Sequence, residues 1–465
     1  MQFNSYSFIF VFLPLSIVLY YLANRIKPAF GKAVLILAGA AFYSFGRLEM
    51  LPVLGISILV NFAAALVIRR SPRFRGLLLA LPVIINVGLL FYFKYYNFLI
   101  QSIDDFFGRN IPLKSIILPA GISFYTFQQI AYIVAVWRNE ITDIKLTDYL
   151  VYILYFPRIL MGPVTEPAEF LEEINDASRK KTDPGRIAIG IRLFSAGIVK
   201  KTFLAAAFSG AVGWIYGNIV TATPMDCILL MLFYTFEIYF DFSGYSDMAL
   251  GVSSMLNIDL PVNFDSPYKA LSMRDFWKRW HISLTKFLTK YIYIPLGGSR
   301  KGKVLTCVNV MAVFLISGLW HGANWSFVLW GALNGAFFCL DRAFEKFEKK
   351  VFAPVRWVVT FGILNVLWLL FSSQSVALWQ LILRRILSLR SLAVSEGLYE
   401  LFTFTKTKYE MFVFLLAAFF ICLVPENSYK TREKTTAVSL LLSAAMFVMG
   451  VLCMGTEAVF IYSGF

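Results

Sequence analysis

The stretch 304–340, VLTCVNVMAVFLISGLWHGANWSFVLWGALNGAFFCL, holds two apolar runs separated by His321-Gly322-Ala323-Asn324. Each run approaches the length of about 20 residues that crosses roughly 30 Å of hydrocarbon. A short polar turn between two such runs is typical of a membrane-helix hairpin. The stretch therefore predicts two apolar helices with a histidine at their junction.

The rest of the chain repeats this pattern. Its 465 residues are 58% hydrophobic with a mean hydropathy of +0.68, more apolar surface than a soluble domain hides in one core. Apolar runs occupy 8–23, 33–46, 50–68, 77–99, 116–136, 147–162, 225–243, 304–320, 325–340, 355–372, 411–424 and 436–453. No internal repeat divides the sequence. We expect a single all-α domain over 1–465, polytopic, with about ten to twelve transmembrane helices plus interfacial helices.

The basic residues predict how the chain is inserted. Lysine and arginine cluster at 25–32 and 69–75, whereas the connection between these clusters carries only Arg47. The positive-inside rule then places the N-terminus outside and the odd-numbered early loops in the cytoplasm. Because short connections hold much of the net charge of +15, we expect no nucleic-acid partner.

A polar segment at 256–303 interrupts the apolar runs and is rich in cations. On a helical projection, residues 274–291 separate into an aromatic face and a basic face, which predicts one amphipathic helix in the membrane interface. The basic residues include Arg274, Lys278, Arg279 and Lys286. They suit either phospholipid headgroups or a phosphate-bearing cofactor such as coenzyme A.

The chain has only two histidines, His281 and His321, and each follows a tryptophan, Trp280 and Trp320. Glycines flank His321 at 318 and 322, so another backbone or a substrate can approach it closely. An ionisable group at membrane depth is costly and commonly lines a cavity. His321 is therefore the stronger candidate for chemistry, although hydrogen-bonded packing remains the alternative for both.

Two carboxylates, Glu237 and Asp241, lie four residues apart in an otherwise apolar run. This spacing places them on one face of a helix. They suit structural pairing with Lys or Arg, or a direct catalytic role.

The residue inventory limits the chemistry. Two separated histidines and five scattered cysteines supply no recognisable ligand set, so we expect no bound metal and no disulfide. No G-x-S-x-G motif supports a serine nucleophile. The remaining chemistry is general-base catalysis. In it, a neutral histidine takes a proton from an attacking hydroxyl.

Three motifs carry a resemblance to a known family. EIYFDFSGYSDMALG (237–251), NFDSPYKALSMRDFWKRWHISLTKFLTKYIYIPLGG (263–298) and SGLWHGANWSFVLWG (317–331) resemble the membrane-bound O-acyltransferase family, in its alginate O-acetyltransferase and peptidoglycan O-acetylase branch. The resemblance is densest over 230–335. We place the family core at about 110–340 and further C-terminal spans at 355–455.

The resemblance implies a ring of membrane helices around a central pore, with acetyl-CoA as cytoplasmic donor substrate and no permanently bound cofactor. It implies that His321 is the catalytic base and that His281 occupies the family's second polar position. Side chains expected to bind substrate or support the site are Asn324, Trp320, Trp280, Glu237, Asp241, Asn263, Arg274, Lys278 and Arg279.

The implied function is acetyl transfer to a hydroxyl on an extracytoplasmic polysaccharide or on a partner transferase of SGNH type, in the inner membrane of a bacterium. Two alternatives stay open at this point. One is D-alanyl transfer to teichoic acid, and the other is a lipid or polysaccharide transporter without chemistry.

Overall fold

The computed structural model describes residues 1–348, 350–389, 391–402, 409–433 and 436–455. Within these ranges the chain forms helices and loops without a β-strand. Among the described residues, six helices are long and apolar enough to cross a membrane: Phe8–Ile26, Leu48–Arg70, Arg75–Phe107, Pro224–Met255, Lys303–His321 and Ala353–Ser372. The prediction of an all-α polytopic protein is confirmed, while the total of ten to twelve spans and the central pore stay predictions.

The chain divides into two compact units, residues 1–194 with 248–261 and residues 195–247 with 262–465. Helices of the first unit are α1 Leu13–Ile26, α2 Pro28–Ser44, α3 Leu51–Arg70, α4 Arg75–Leu90, α5 Tyr96–Phe107, α6 Ile122–Trp137, α7 Leu146–Leu154, α8 Pro167–Asn175 and most of α9 Pro184–Val199. The single domain over 1–465 stays a prediction.

Helices of the second unit are α10 Ala206–Gly217, most of α11 Pro224–Met255, α12 Met273–Arg279, α13 Ile282–Leu288, α14 Lys303–His321, α15 Trp325–Ala343, α16 Glu345–Glu348, α17 Ala353–Ser372, α18 Val376–Ser388, α19 Glu396–Glu400, α20 Glu410–Leu423 and α21 Ala437–Leu452. Short 3₁₀ turns occur at Leu48–Met50, Pro72–Phe74, Ser178–Lys180 and Pro267–Lys269, and π-helical turns at Phe8–Phe12, Phe91–Tyr95, Lys200–Ala205 and Thr289–Tyr293.

Polar side chains hold the first unit together. Asn61 of α3 and Asn86 of α4 exchange amide hydrogen bonds, the shorter with Asn86 Nδ2 donating at 2.6 Å, and Ser57 donates to Gln129 Oε1 of α6 at 2.8 Å. Lys32 pairs with Asp148 at 2.5 Å. Since apolar surface gains little by packing against other helices in lipid, such bonds and close contacts hold helices together.

One apolar prediction needs correction here, and one helical segment was not predicted. The run 147–162 is helical only as α7, because Pro157, Gly162 and Pro163 follow and prevent the helix from continuing. Between 163 and 224 we predicted no apolar run, and there α9, a π-helical turn and α10 form a helical segment over 184–217 that is not among the six candidate membrane spans. Lys200 and Lys201 interrupt the apolar pattern there.

Ion pairs explain why two lysines are tolerated in that segment. Lys200 pairs with Asp247 of α11 at 2.7 Å, and Lys201 pairs with Asp241 of the same helix. Both partners are almost completely buried, where an unpaired charge would be costly.

The hairpin of α14 and α15 sits in the second unit and positions the candidate site. A Cβ atom on Gly318 would lie 2.3 Å from the carbonyl oxygen of Phe327, and one on Gly331 would lie 2.4 Å from that of Phe314. Only glycine permits this approach of the two helices. Asn324 caps the N-terminus of α15, because its Oδ1 accepts the amide N–H of Ser326 at 2.9 Å.

Candidate active site

His321 is the last residue of α14 and is 4% exposed. Three aromatic rings surround its imidazole, those of Trp320, Trp330 and Phe371, with ring centroids 4.9, 5.3 and 5.2 Å away. These rings come from α14, α15 and α17. The side chain thus lies in an aromatic enclosure at the end of a helix long enough to span a membrane.

We predicted one continuous helix over 274–291, and this prediction is wrong at His281. The helix breaks after Arg279, Trp280 is extended, and His281 adopts a left-handed backbone with φ 45° and ψ 50° before α13 begins. A further change to π-helical geometry follows at Thr289. Periodicity could not show the break, because aromatic residues continue at helical spacing through it.

The break buries His281 to 1% exposure. Its ring lies edge-on to Phe242 of α11, with centroids 4.7 Å apart, and neither ring nitrogen has a hydrogen-bond partner among the described residues. Burial lowers the pKa of this imidazole from 6.5 to about 3. The ring is therefore neutral at physiological pH and has one N–H donor and one acceptor to offer.

Trp320 connects the two histidines. Its ring centroid lies 6.2 Å from that of His281 and 4.9 Å from that of His321. Residues 281 and 321, forty positions apart in sequence, thus meet the same indole. The structure brings both predicted histidines and Trp320 into one cluster.

Trp280 faces a different set of neighbours. It is 2% exposed and packs on Trp368, Phe264 and Phe276 at centroid distances of 4.8, 5.0 and 5.5 Å. This aromatic packing gives Trp280 a supporting position behind the helix break.

Asn263 and Asn324 both make hydrogen bonds to the protein. Asn263 Oδ1 accepts from the hydroxyl of Ser283 at 2.6 Å and Nδ2 donates to Ser246 Oγ at 3.4 Å. Asn324 Nδ2 donates to the carbonyl of Gln374 at 2.8 Å. Each therefore supports the cluster, and substrate binding by either stays a prediction.

Asp241 and Glu237 point to the 184–217 segment. Asp241 pairs with Lys201, as one of our two alternatives expected, and Glu237 interacts with Ser209. The sequence could not identify these partners because Lys201 and Ser209 lie in the helical segment that we missed.

The predicted basic side chains divide into two groups. Arg274 pairs with Asp341 and Glu345, and Arg279 pairs with Asp275 at 2.8 Å. Lys278 and Lys286 are exposed. Only the second group is available to an anionic ligand without breaking an internal ion pair.

A cavity of about 210 Å³ lies between α12, α13 and the α14–α15 hairpin. It is lined by Trp277, Leu284, Thr285, Leu288, Thr289, Tyr293, Val310, Val313, Phe314, Ser317, Phe338 and Arg342. Ser317 lies one helical turn before His321. Ser317 and Arg342 were not predicted as site residues, although the four-residue spacing of Ser317 from His321 places those two on one helix face.

Arg342 and Ser317 lie at opposite ends of this cavity. The thiol of Cys339 contacts the carbonyl of Cys307 at 3.8 Å, so Arg342 lies beside the first residues of α14. Along the axis of α14, the distance from its first residues to Ser317 is about 20 Å, at a rise of 1.5 Å per residue. The cavity thus runs along the hairpin between a cation and the neighbourhood of the catalytic candidate.

The helices describe a multi-pass membrane protein. The chain belongs to the membrane-bound O-acyltransferase family, whose sequence profile matches residues 135–381 and so includes all the predicted site residues. The predicted resemblance is confirmed. The protein is an O-acyltransferase with several membrane-spanning helices, and the transporter alternative is wrong.

Named relatives are similar over most of the chain. A peptidoglycan O-acetyltransferase of Helicobacter pylori is 32% identical over all of this chain and 97% of its own length. The probable alginate O-acetylase AlgI of Pseudomonas putida is 35% identical over 81% of this chain and 78% of its own. A teichoic acid D-alanyltransferase of Streptococcus thermophilus is more distant, at 26% over 50% of this chain and 58% of its own.

Proposed function

We propose that this protein is an acetyltransferase of the bacterial inner membrane, with cytoplasmic acetyl-CoA as donor substrate and an extracytoplasmic cell-envelope polysaccharide as acceptor. The observation that carries the proposal is His321, a buried base candidate one helical turn from a cavity whose far end bears Arg342. The similarity to peptidoglycan and alginate O-acetylases supports acetyl as the transferred group.

The cavity suits the donor better than the acceptor. Leu284, Leu288, Val310 and Phe314 give it an apolar wall, which fits a slender thioester arm and not a polyhydroxylated sugar. The charged part of coenzyme A cannot enter hydrocarbon, so it would remain at the end of the cavity that bears Arg342. The basic residues of 269–303 are cytoplasmic by the positive-inside rule.

In the proposed step, His321 takes the proton of the acceptor hydroxyl as its oxygen attacks the thioester carbonyl. A C–O bond forms, the C–S bond breaks, and the proton passes from the imidazolium to the leaving thiolate. The neutral ring of His281 would donate its N–H to the developing oxyanion. Since a thioester is already activated, one base worth about 10²–10⁴-fold together with positioning is sufficient, without a permanently bound cofactor.

The acceptor on the far side is either the polysaccharide itself or a hydroxyl of a separate SGNH-type transferase that relays the acetyl group. Both give the same chemistry at His321. The competing donor is a carrier protein that bears a D-alanyl group, and only the more distant relatives support it.

Donor protection of an introduced cysteine tests the proposal. In a background without the five native cysteines, Ala323→Cys places a thiol two residues from His321, and Lys301→Cys marks the exposed basic turn. We expect acetyl-CoA to slow alkylation of Ala323→Cys, and impermeant reagent to label Lys301→Cys from the cytoplasmic side only. Protection by a D-alanyl carrier protein but not by acetyl-CoA, or labelling of Lys301→Cys from outside, would overturn the proposal.

A further inference from the structure

Helix α13 begins at a histidine whose side chain does not cap it. The first amide groups of a helix lack partners within the helix, and a Ser, Thr, Asp or Asn at the N-cap commonly supplies one. Here the N-cap residue is His281, which makes no side-chain cap bond. The amide groups of Ile282 and Ser283 must therefore find acceptors elsewhere, because this region is buried.

Asn263 supplies both acceptors from a distant part of the chain. Its backbone carbonyl accepts the N–H of Ile282 at 3.0 Å, and its Oδ1 accepts the N–H of Ser283 at 3.3 Å and the Ser283 hydroxyl at 2.6 Å. The side chain is completely buried and also donates to Ser246 of α11. One asparagine thus caps α13 and ties it to α11.

The residues after Asn263 secure the other side of the break. The N–H of Asp265 donates to the carbonyl of Arg279 at 3.0 Å, and Arg279 Nη1 donates to the carbonyl of Asp265 at 3.3 Å. Segment 263–265 therefore runs alongside 279–283 and spans the left-handed residue. A left-handed conformation at a residue other than glycine persists only where the surroundings enforce it.

We propose that Asn263 is the positioning residue that holds His281 in its left-handed conformation and so fixes the imidazole between Phe242 and Trp320. The inference rests on the proposed function for its catalytic consequence, since His281 is there the donor to the oxyanion. That Asn263 holds the backbone conformation of His281 does not depend on this catalytic role. Asn263 touches neither reacting group in this scheme and acts through the backbone of 281–283.

The two histidines make the test direct, because ¹⁵N-histidine labelling of this chain gives signals from only two imidazole rings. In Asn263→Ala we expect the His281 signals to shift and to titrate above pH 5.5, while those of His321 stay in place. The kcat should fall about tenfold or more with the donor KM within about twofold. The control is Thr202→Val, which removes a buried hydroxyl bonded to the carbonyl of Gly450 and should leave the His281 signals unchanged.

Unchanged His281 signals in folded Asn263→Ala would overturn the proposal. Where that variant does not fold, Ser283→Ala decides, since it removes the 2.6 Å hydroxyl bond to Asn263 and keeps both backbone bonds to Asn263. A smaller shift in the same direction supports the positioning role, and no shift contradicts it. If the His281 signals move and kcat does not, Asn263 positions His281 and the proposed oxyanion role of His281 is wrong.

Discussion

The imidazole of His281 is neutral because burial lowers its pKa, and the left-handed backbone that places it there costs about 1 kcal/mol or more. The sequence identified both histidines, since they are the only two in the chain and each follows a tryptophan. It could not identify the bonds from Asn263 to Ile282 and Ser283. Those bonds join residues about twenty positions apart across a helix break, so the tertiary structure alone determines them.

The depressed pKa of His281 predicts a pH-dependent stability. Between the unfolded pKa near 6.5 and the folded value of about 3, the unfolded chain binds a proton that the folded chain does not, so stability falls as pH falls. From pH 7 to 5 the loss is about 2 kcal/mol. The difference between wild type and His281→Gln isolates this contribution. In thermal unfolding in detergent at pH 7 and pH 5, the stability of His281→Gln should change by about 2 kcal/mol less in the destabilising direction than that of wild type. Equal pH dependence in both would contradict the buried neutral ring.

At the scale of the helices, glycines define the α14–α15 hairpin that carries His321. The sequence indicated this hairpin because two apolar runs flank a short polar turn, and glycines near the histidine predicted a close approach. The break between α12 and α13 was not indicated, because the aromatic stripe continues through it. Helical periodicity reports which face is apolar and does not report backbone continuity.

Gly331→Ala should destabilise the protein. The added Cβ would lie 2.4 Å from the Phe314 carbonyl oxygen, so the helices must separate, at a cost of about 1–3 kcal/mol. The matched control is Gly362→Ala in α17, where a Cβ meets no atom within 4 Å. Thermal unfolding monitored by size-exclusion chromatography compares them. An equal midpoint for both variants would contradict the close contact.

The cations of α12 and α13 should separate into two behaviours. We expect Lys278→Glu with Lys286→Glu to raise the donor KM most at low salt, because both side chains are exposed and screening weakens their attraction. Arg274→Glu should instead lower thermal stability by breaking its bonds to Asp341 and Glu345. An unchanged donor KM in the double lysine variant would favour the phospholipid-headgroup alternative.

At the scale of the molecule, composition and apolar runs predicted the all-helical membrane fold, and three motifs predicted the family. The segment 184–217 was missed because Lys200 and Lys201 make it look like a connection, whereas Asp247 and Asp241 of α11 neutralise them. Charge pairing between helices is invisible in a hydropathy pattern. The same limitation hid the partners of Glu237 and Asp241.

Transfer of label from acetyl-CoA in sided proteoliposomes tests the central claim most directly. Acetyl-CoA is supplied on the cytoplasmic face and acetylated polysaccharide, or acetylated SGNH-type partner, is measured on the other, for wild type and for His321→Ala. The loss of a general base predicts a fall in kcat of about a hundredfold or more in the folded variant. Activity of His321→Ala above about a tenth of wild type would remove His321 from the role of base.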